Sequence, residues 1–538
     1  MAQDRAELKA ALERGESDGG NIEFKERLSK DIHLTDGRFE SLAAQLRHRV
    51  LSGEGEATYV IGVTDDGGLA GIDPSNFSES MDVLSLLAEE AGAHIDTVDT
   101  WGVNGGLVGL ARIVEGAVLP IDDDHIVIGT AGHVDHGKST LVGSLVTGEP
   151  DDGQGATRAY LDLKPHEIER GLSADISYGV YGFADDEVVH LDNPNRKDDR
   201  ARVVEAAERV VSFVDTVGHD PWLRTTIRGI VGGKLDYGLL TVAADDGVTE
   251  TTREHLGILL AMELPTIVAV TKTDMVGDER TANVVDDIER MLREVGRTPL
   301  PVERHGIESA VEEINPRVVP VVVTSAVTGR GLDRLDALFR DLPKRAGHAG
   351  EFRMYIDRIY TIAGVGPVAS GTVRSGEVEA GDRLTLGPFP DGSYREVEVR
   401  SIEMHYHRTD RARAGQIVGI ALKGVTADEI ARGMALFPSD ASPPRPVKTF
   451  EAEVMVLNHP TRITSGYEPV VHLETVSEAA RFEPLEGHLL PGDTGRTRVT
   501  FKFSPYLVEE GQRFVFREGK SKGVGTVTSV DLEGATSR

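Results

Sequence analysis

A chain of 538 residues exceeds what one ordinary hydrophobic core can serve, and the usual domain size implies roughly three to five units. Its 89 acidic against 58 basic residues leave a formal net charge of −31, a field that repels phosphate except where basic residues cluster locally. The lack of cysteine excludes disulfides and thiolate metal sites, and no run approaches the roughly 18 apolar residues a membrane helix needs. The start, Met1-Ala2-Gln3-Asp4-Arg5, is charged and has no apolar signal core. The expectation is a soluble, cytoplasmic, monomeric protein with no membrane partner.

Residues 1–120 mix helical patterns, Arg5 to Arg14 and Phe39 to Leu51, with apolar strands such as Thr58-Tyr59-Val60-Ile61-Gly62-Val63, and read as a small α+β domain. Asp122-Asp123-Asp124 marks its exit. Over 123–346, apolar runs at His125 to Thr130, Val210 to Val214, Tyr237 to Val242, Pro265 to Val270 and Pro320 to Val323 alternate with helix patterns. Continuous apolar strands separated by helices predict a P-loop α/β domain, a parallel-rich sheet with helices on both faces. Beyond it, short alternating strands and glycine turns predict two β-barrels, over 350–441 and 447–534, divided by Ser442-Pro443-Pro444-Arg445-Pro446.

The strand from His125 runs into Gly132-His133-Val134-Asp135-His136-Gly137-Lys138-Ser139, followed by Thr140 and the helix pattern Leu141 to Leu145. This is the phosphate-binding pattern G-x-x-x-x-G-K-[ST] in the strand-to-helix context it requires. Its backbone N–H groups cradle phosphates, Lys138 brings a point charge to the β and γ phosphates, and Ser139 offers an oxygen to Mg²⁺. Asp215-Thr216-Val217-Gly218 follows the next strand; there Asp215 serves the metal shell and the Gly218 N–H the γ-phosphate. Thr271-Lys272-Thr273-Asp274 closes a third strand. Asp274 can accept from guanine N1–H and the exocyclic amine, whereas adenine would leave a buried carboxylate unpaired, so the nucleotide is GTP or GDP. Thr324-Ser325-Ala326 is placed to complete the base pocket, through the backbone of Ser325 and Ala326.

With these four elements in order, the sequence resembles the translational GTPases, the superfamily of elongation factor Tu and elongation factor one-alpha. The match is carried by the phosphate loop and by Asp215-Thr216-Val217-Gly218-His219, and extends to Gly466-Tyr467-Glu468-Pro469-Val470, Pro491-Gly492-Asp493 and Arg517-Glu518-Gly519. The N-terminal domain, Thr271-Lys272-Thr273-Asp274 and the long segment before Asp215 resemble the branch called GTP-binding protein 1 and 2. The resemblance implies a GTPase stimulated by the ribosome that carries aminoacyl-tRNA or acts in rescue and mRNA surveillance, with a nucleotide exchange factor and the RNA-decay machinery as further partners. It makes His219 the residue that acts on the attacking water, as base or by positioning it. Val134 and Leu172 match the apolar pair that restrains that histidine, or are two core residues. Glu169-Arg170-Gly171-Leu172-Ser173 resembles the first switch, where Ser173 stands for the usual Mg²⁺-binding Thr. The family often carries Asn where this chain has Thr271. Asp135, with switch carbonyls, is expected to hold K⁺ near the β–γ bridge.

Basic residues are overwhelmingly arginine and the acid is spread evenly, a balance resembling proteomes adapted to molar salt, where the Debye length is only about 3 Å. Arg496, Arg498, Lys502, Arg513 through Lys522, and His405-Tyr406-His407-Arg408 are candidates to meet RNA phosphate, or are solvated barrel faces. Ile22-Glu23-Phe24-Lys25 and Val60 to Asp65 weakly resemble AlbA-like nucleic-acid domains of the Schlafen type; a scaffold or docking domain is the plainer reading. Two other functions fit the same motifs: the GTPase subunit of a sulfate-activating enzyme, and a GTP-dependent binding switch with little turnover. Stimulation by ribosomes separates these from the first.

Overall fold

The computed structural model describes residues 4–530 except 16–19, 36–37, 54, 65–66, 116–123, 162–175, 186, 195, 217–222, 346–349, 363–364 and 520. The N-terminal sheet contains β1 (Ile22–Lys25), β2 (Glu56–Ile61), β3 (Ala93–Val103) and β4 (Gly106–Glu115) in the order β1-β2-β4-β3. β1 and β2 are parallel, and the other pairs are antiparallel. The two-residue period of β2 divides its side chains between two cores. Tyr59 and Ile61 pack with Leu42 and Leu46 of helix Arg38–Ser52 and with Phe77 and Leu84 of helix Pro74–Ala91. Val60 joins Leu8 and Ala11 of helix Asp4–Arg14 on the opposite face. Glu23 is fully buried, yet accepts from Arg49 Nε at 2.7 Å, Arg49 Nη2 at 2.6 Å and Gln45 at 2.8 Å, and also from Lys25. A carboxylate buried without such donors would be strongly destabilising. Glu23 and Lys25 are therefore held in a structural ion cluster, while Ile22 and Phe24 join the core beside helix Asp4–Arg14.

The central domain holds β5 (Asp124–Gly132), β6 (Ser177–Ala184), β7 (Glu187–Val189), β8 (Arg209–Asp215), β9 (Tyr237–Ala243), β10 (Thr266–Thr271), β11 (Thr298–Pro301) and β12 (Val318–Val323), ordered β11-β12-β10-β9-β5-β8-β6-β7. β11, β12, β10, β9, β5 and β8 are mutually parallel, as continuous burial on both faces requires. Helices Lys138–Thr147, Lys197–Ala206 and Leu332–Asp341 cover one face. Helices Leu223–Gly232, Glu250–Ala261 and Asp278–Glu294 cover the other. β6 and β7 form an antiparallel edge that the apolar-run pattern does not reveal. Glycine breaks that pattern for a reason: a Cβ on Gly182 would lie 2.4 Å from Ala207 Cβ.

Both C-terminal units are closed. In the middle one, six strands between Arg353 and Pro438 pair in sequence, and the pairing of Arg383–Gly387 with Arg395–Met404 completes the ring. The last is a closed barrel of six strands from Thr449–Asn458 to Ser521–Ser529. Its core is aromatic, with Phe450, Phe482, Phe501, Phe514 and Phe516 buried together.

Charged side chains fasten both barrels to the central domain. Arg513 donates to Ala261 O at 2.8 Å and pairs with Glu263 at 2.6 Å; Lys522 pairs with Glu254. Arg374 bridges the two barrels through Glu474, while Thr372 Oγ1 donates to Gly233 O at 2.9 Å. The reading of Arg513 and Lys522 as RNA-facing is thus corrected: they are spent on an interdomain seam. Arg496 and Arg498 share Glu451, and Lys502 pairs with Glu468 at 2.8 Å on the outer barrel surface. The His405 ring lies inside a seam, 2.7 Å from Ser212 Oγ, which also meets His125 Nε2 at 2.8 Å. Among the described residues, no helix is long and apolar enough to cross a membrane.

Candidate nucleotide site

All four motifs leave the sheet at the C-terminal ends of neighbouring parallel strands: the phosphate loop from β5, Asp215 from β8, Thr271 from β10 and Thr324 just after β12. In a doubly wound sheet this edge is where a crevice opens. Gly132 ends β5 at φ +140, and a Cβ there would stand 2.5 Å from Thr241 Oγ1, so only glycine lets the loop leave the sheet. Asp135 and Gly137 are both left-handed, with φ +62 and +74, and curl the loop into the N-terminus of helix Lys138–Thr147. Val134 is half-buried and Asp135 exposed on this turn.

Lys138 is buried, and its ammonium donates to Gly132 O at 3.2 Å and His133 O at 2.8 Å. Burial pushes its pKa down to about 8 against the pull of Asp215 and Asp135. Asp215 accepts from Ser139 Oγ at 2.6 Å with one oxygen and from Thr130 Oγ1 at 2.7 Å with the other. Thr130 also accepts from the Thr216 N–H at 3.0 Å, so the strand end and the Asp215 carboxylate are locked together. The hydroxyl and carboxylate brought together here are hard oxygen donors of the kind Mg²⁺ takes, and the residues fit that ion.

Around the loop are groups that motif reading does not reach. The Gly132 N–H donates to His255 Nδ1 at 2.8 Å. His255 is buried and its pKa falls to about 3, chiefly through desolvation, so the ring is a neutral acceptor. The rings of His133 and His136 lie 5.1 Å apart; His133 Nδ1 meets Val134 O at 2.7 Å, and His136 Nε2 lies 3.0 Å from Asp246. Asp151, just after the loop helix, accepts from Gly153, Gly155 and Thr157 while its own N–H donates to Ala326 O at 2.9 Å. Thr157 Oγ1 in turn donates to Thr140 O at 3.1 Å. The signal for Thr130 and His255 was polarity inside an apolar run or helix face, which marks a buried partner without saying which.

On the base side, Thr271 Oγ1 donates to His136 O at 2.8 Å. A hydroxyl therefore supplies the link between base motif and phosphate loop at the position where Asn is frequent. Lys272 is left-handed at φ +57, which turns Thr273-Asp274-Met275 into a single 3-10 turn past the sheet edge. Thr273 Oγ1 donates to Thr324 O at 2.9 Å, tying the β10 and β12 ends together. Asp274 is exposed where the sequence suggested a buried carboxylate, because this turn projects beyond the strand end. It accepts from Ser325 Oγ at 2.6 Å, and the Ser325 N–H donates to Arg330 O at 2.9 Å. Leu172, Ser173, Gly218 and His219 lie outside the described residues.

Comparison with known proteins agrees with this geometry. Three families match in succession: the elongation factor Tu GTP-binding domain over residues 123–344, elongation factor Tu domain 2 over 366–437 and the elongation factor Tu C-terminal domain over 443–531. The chain is 32% identical to mouse GTP-binding protein 2 over 534 residues, covering 96% of this chain and 88% of that one. It is 32% identical to elongation factor 1-alpha of Methanopyrus kandleri over 454 residues, covering 77% of this chain and 99% of that one. A crystal structure of the bacterial selenocysteine-specific elongation factor EF-Sec superposes with a TM-score of 0.56 at 24% identity, covering 75% of this chain and 58% of that one.

Proposed function

We propose that this chain, which belongs to the elongation factor Tu family of GTPases, hydrolyses GTP when it engages the ribosome, carrying aminoacyl-tRNA or acting in rescue and surveillance of stalled ribosomes. The observation that carries the reading is the convergence of Lys138, Ser139 and Asp215 on one strand-end crevice, in a domain fastened to two closed barrels. Lys138 meets the β and γ phosphates as a point charge, and backbone N–H groups of the loop beyond Gly132, whose own N–H is held by His255, surround them. Ser139, Asp215 and Ser173 are the side chains that would hold Mg²⁺, which when bound neutralises charge on the phosphate oxygens. Asp274 accepts from guanine, with Thr271 and Lys272 framing the base and the Ala326 backbone N–H closing its pocket, that of Ser325 being taken by Arg330 O.

His219 follows the Asp215 motif directly and is assigned to the attacking water, with Val134 and Leu172 restraining it until the ribosome moves it. The exposed, left-handed Asp135 supports a K⁺ site beside the β–γ bridge. Turnover in K⁺, Na⁺ and a bulky organic cation should differ, with K⁺ fastest; equal rates would remove the site. The function itself is tested by multiple-turnover GTP hydrolysis with and without purified ribosomes. Stimulation of tenfold or more is expected, and an unchanged rate would contradict a ribosomal role.

A further inference from the structure

The N-terminal domain meets the middle barrel through Arg400, which donates to Ser78 Oγ at 2.9 Å and pairs with Asp82. Between its β3–β4 edge, the middle barrel and helix Lys197–Ala206 lies a cavity of about 1610 Å³. That exceeds the roughly 300–1,000 Å³ of sites built for single small molecules. An elongated ligand with several repeating units suits such a space.

Its charge runs against that of the chain. Eight Arg and Lys side chains line it against five Asp and Glu, in a protein whose net charge is −31. Several carboxylates in the wall already face cations: Asp82 pairs with Lys30 at 3.1 Å and with Arg400, and Arg112 holds Glu56 and Asp96. Burial raises the pKa of Glu403 and Asp96.

Two aromatic side chains belong to the same walls. Trp101, on β3, is half-buried against the core beneath helix Asp4–Arg14, and Tyr406, on the middle barrel, is 39% exposed. Tyr406 is presented by a turn in which His405 and Tyr406 are both left-handed, at φ +49 and +70, a conformation rarely adopted by two successive non-glycine residues. The turn is pinned from behind by the His405 bond to Ser212, and Lys197 Nζ lies 5.5 Å from the Tyr406 ring centroid. A fixed aromatic flanked by a cation, in a cavity whose wall carries a second aromatic, offers surfaces that stack bases while neutralising a backbone.

We propose that this cavity binds single-stranded RNA, with Trp101 and Tyr406 stacking on bases and the surplus of cationic side chains meeting phosphate. The choice of RNA over DNA rests on the ribosomal reading above; the site itself does not.

The test uses the full-length protein and an eight-nucleotide uridine oligomer, with neither ribosomes nor GTP, so its failure is distinct from failure of the ribosomal assignment. The chain has two tryptophans, and a Trp222→Phe background leaves Trp101 as the sole indole. Titration should quench Trp101 emission at the same oligomer concentration that saturates the anisotropy of labelled RNA. Affinity should fall steeply with added salt. In the otherwise natural chain, Tyr406→Ala should weaken anisotropy-detected binding about tenfold, Tyr406→Phe should restore it, and both should retain GTP binding. Absence of RNA binding, binding without change in Trp101 emission, or an unaffected Tyr406→Ala variant would overturn the proposal. So would uridine monophosphate binding as tightly as the oligomer, or an RNA duplex of equal length competing equally.

Discussion

The two halves of the nucleotide site are held by different means. On the phosphate side, Lys138, Ser139, Thr130, Asp215 and His255 are buried and satisfy one another or the loop backbone. On the base side, the residue proposed to recognise guanine is Asp274, an exposed carboxylate on a single turn, with one buried hydroxyl, Thr271, joining it to the loop. Buried polar networks tie binding to stability, because removing one member strands another. Asp274 is exposed, and a replacement that keeps an acceptor for the buried Ser325 hydroxyl avoids that penalty. The phosphate half should therefore be sensitive in both fold and affinity, and the base half in selectivity alone.

Lys138→Ala makes the sharpest test of the phosphate half. It should lower GTP affinity by roughly 10²-fold or more, since the β and γ phosphates lose their point charge; titration with a fluorescent GTP analogue measures this, and near-normal affinity would break the comparison. Asp274→Asn should leave the melting temperature unchanged while shifting preference from guanine toward xanthine by roughly 10-fold or more, the equivalent of about 1–3 kcal/mol at an unmatched polar group. Competition between GTP and XTP reads the shift. A fall in melting temperature would mean that the base half is as structural as the phosphate half.

Thr271 lies on the border between them. Thr271→Val leaves His136 O without its donor and should destabilise the chain by about 1–3 kcal/mol, whereas Thr271→Asn should retain the link. Denaturant unfolding of the two variants distinguishes them. The smallest effect expected is in pH. His255 takes a proton near 6.5 when unfolded and only near 3 when folded, so its contribution is complete above about pH 6.5 and drains as pH falls from 6.5 toward 3. His405, depressed to about 3 by burial, works in the same direction. His255→Gln should flatten the decline in melting temperature between pH 7 and pH 5; an unchanged slope would remove His255 as a cause.

The nucleotide motifs were legible because each stands at the end of a continuous apolar strand, where burial and chemistry coincide in the chain. The antiparallel edge was not, since Gly179 and Gly182 interrupt the apolar run of β6 where neighbours press close. Helix Pro74–Ala91 carries its apolar side chains amid serines and acids, and only the packed sheet reveals which face is inside. Thr130, His255 and Asp246 reach the site across 85 to 123 residues of chain, a pairing no local pattern encodes. Charge misled in a specific way. Arg513 and Lys522 look like a basic strand patch, but the fold sets Glu263 and Glu254 against them, while cations dispersed in sequence, Arg112 and Lys423 among them, line the cavity beside carboxylate partners of their own.

The ribosomal assignment is tested most directly by single-turnover GTP hydrolysis on purified ribosomes, comparing the natural chain with His219→Ala at saturating GTP. Unaltered GTP affinity with hydrolysis slowed by roughly 10²-fold or more is the predicted result, since the substitution removes a contact made in the transition state. Equal rates for the two proteins, or no acceleration of the natural chain by ribosomes, would contradict it.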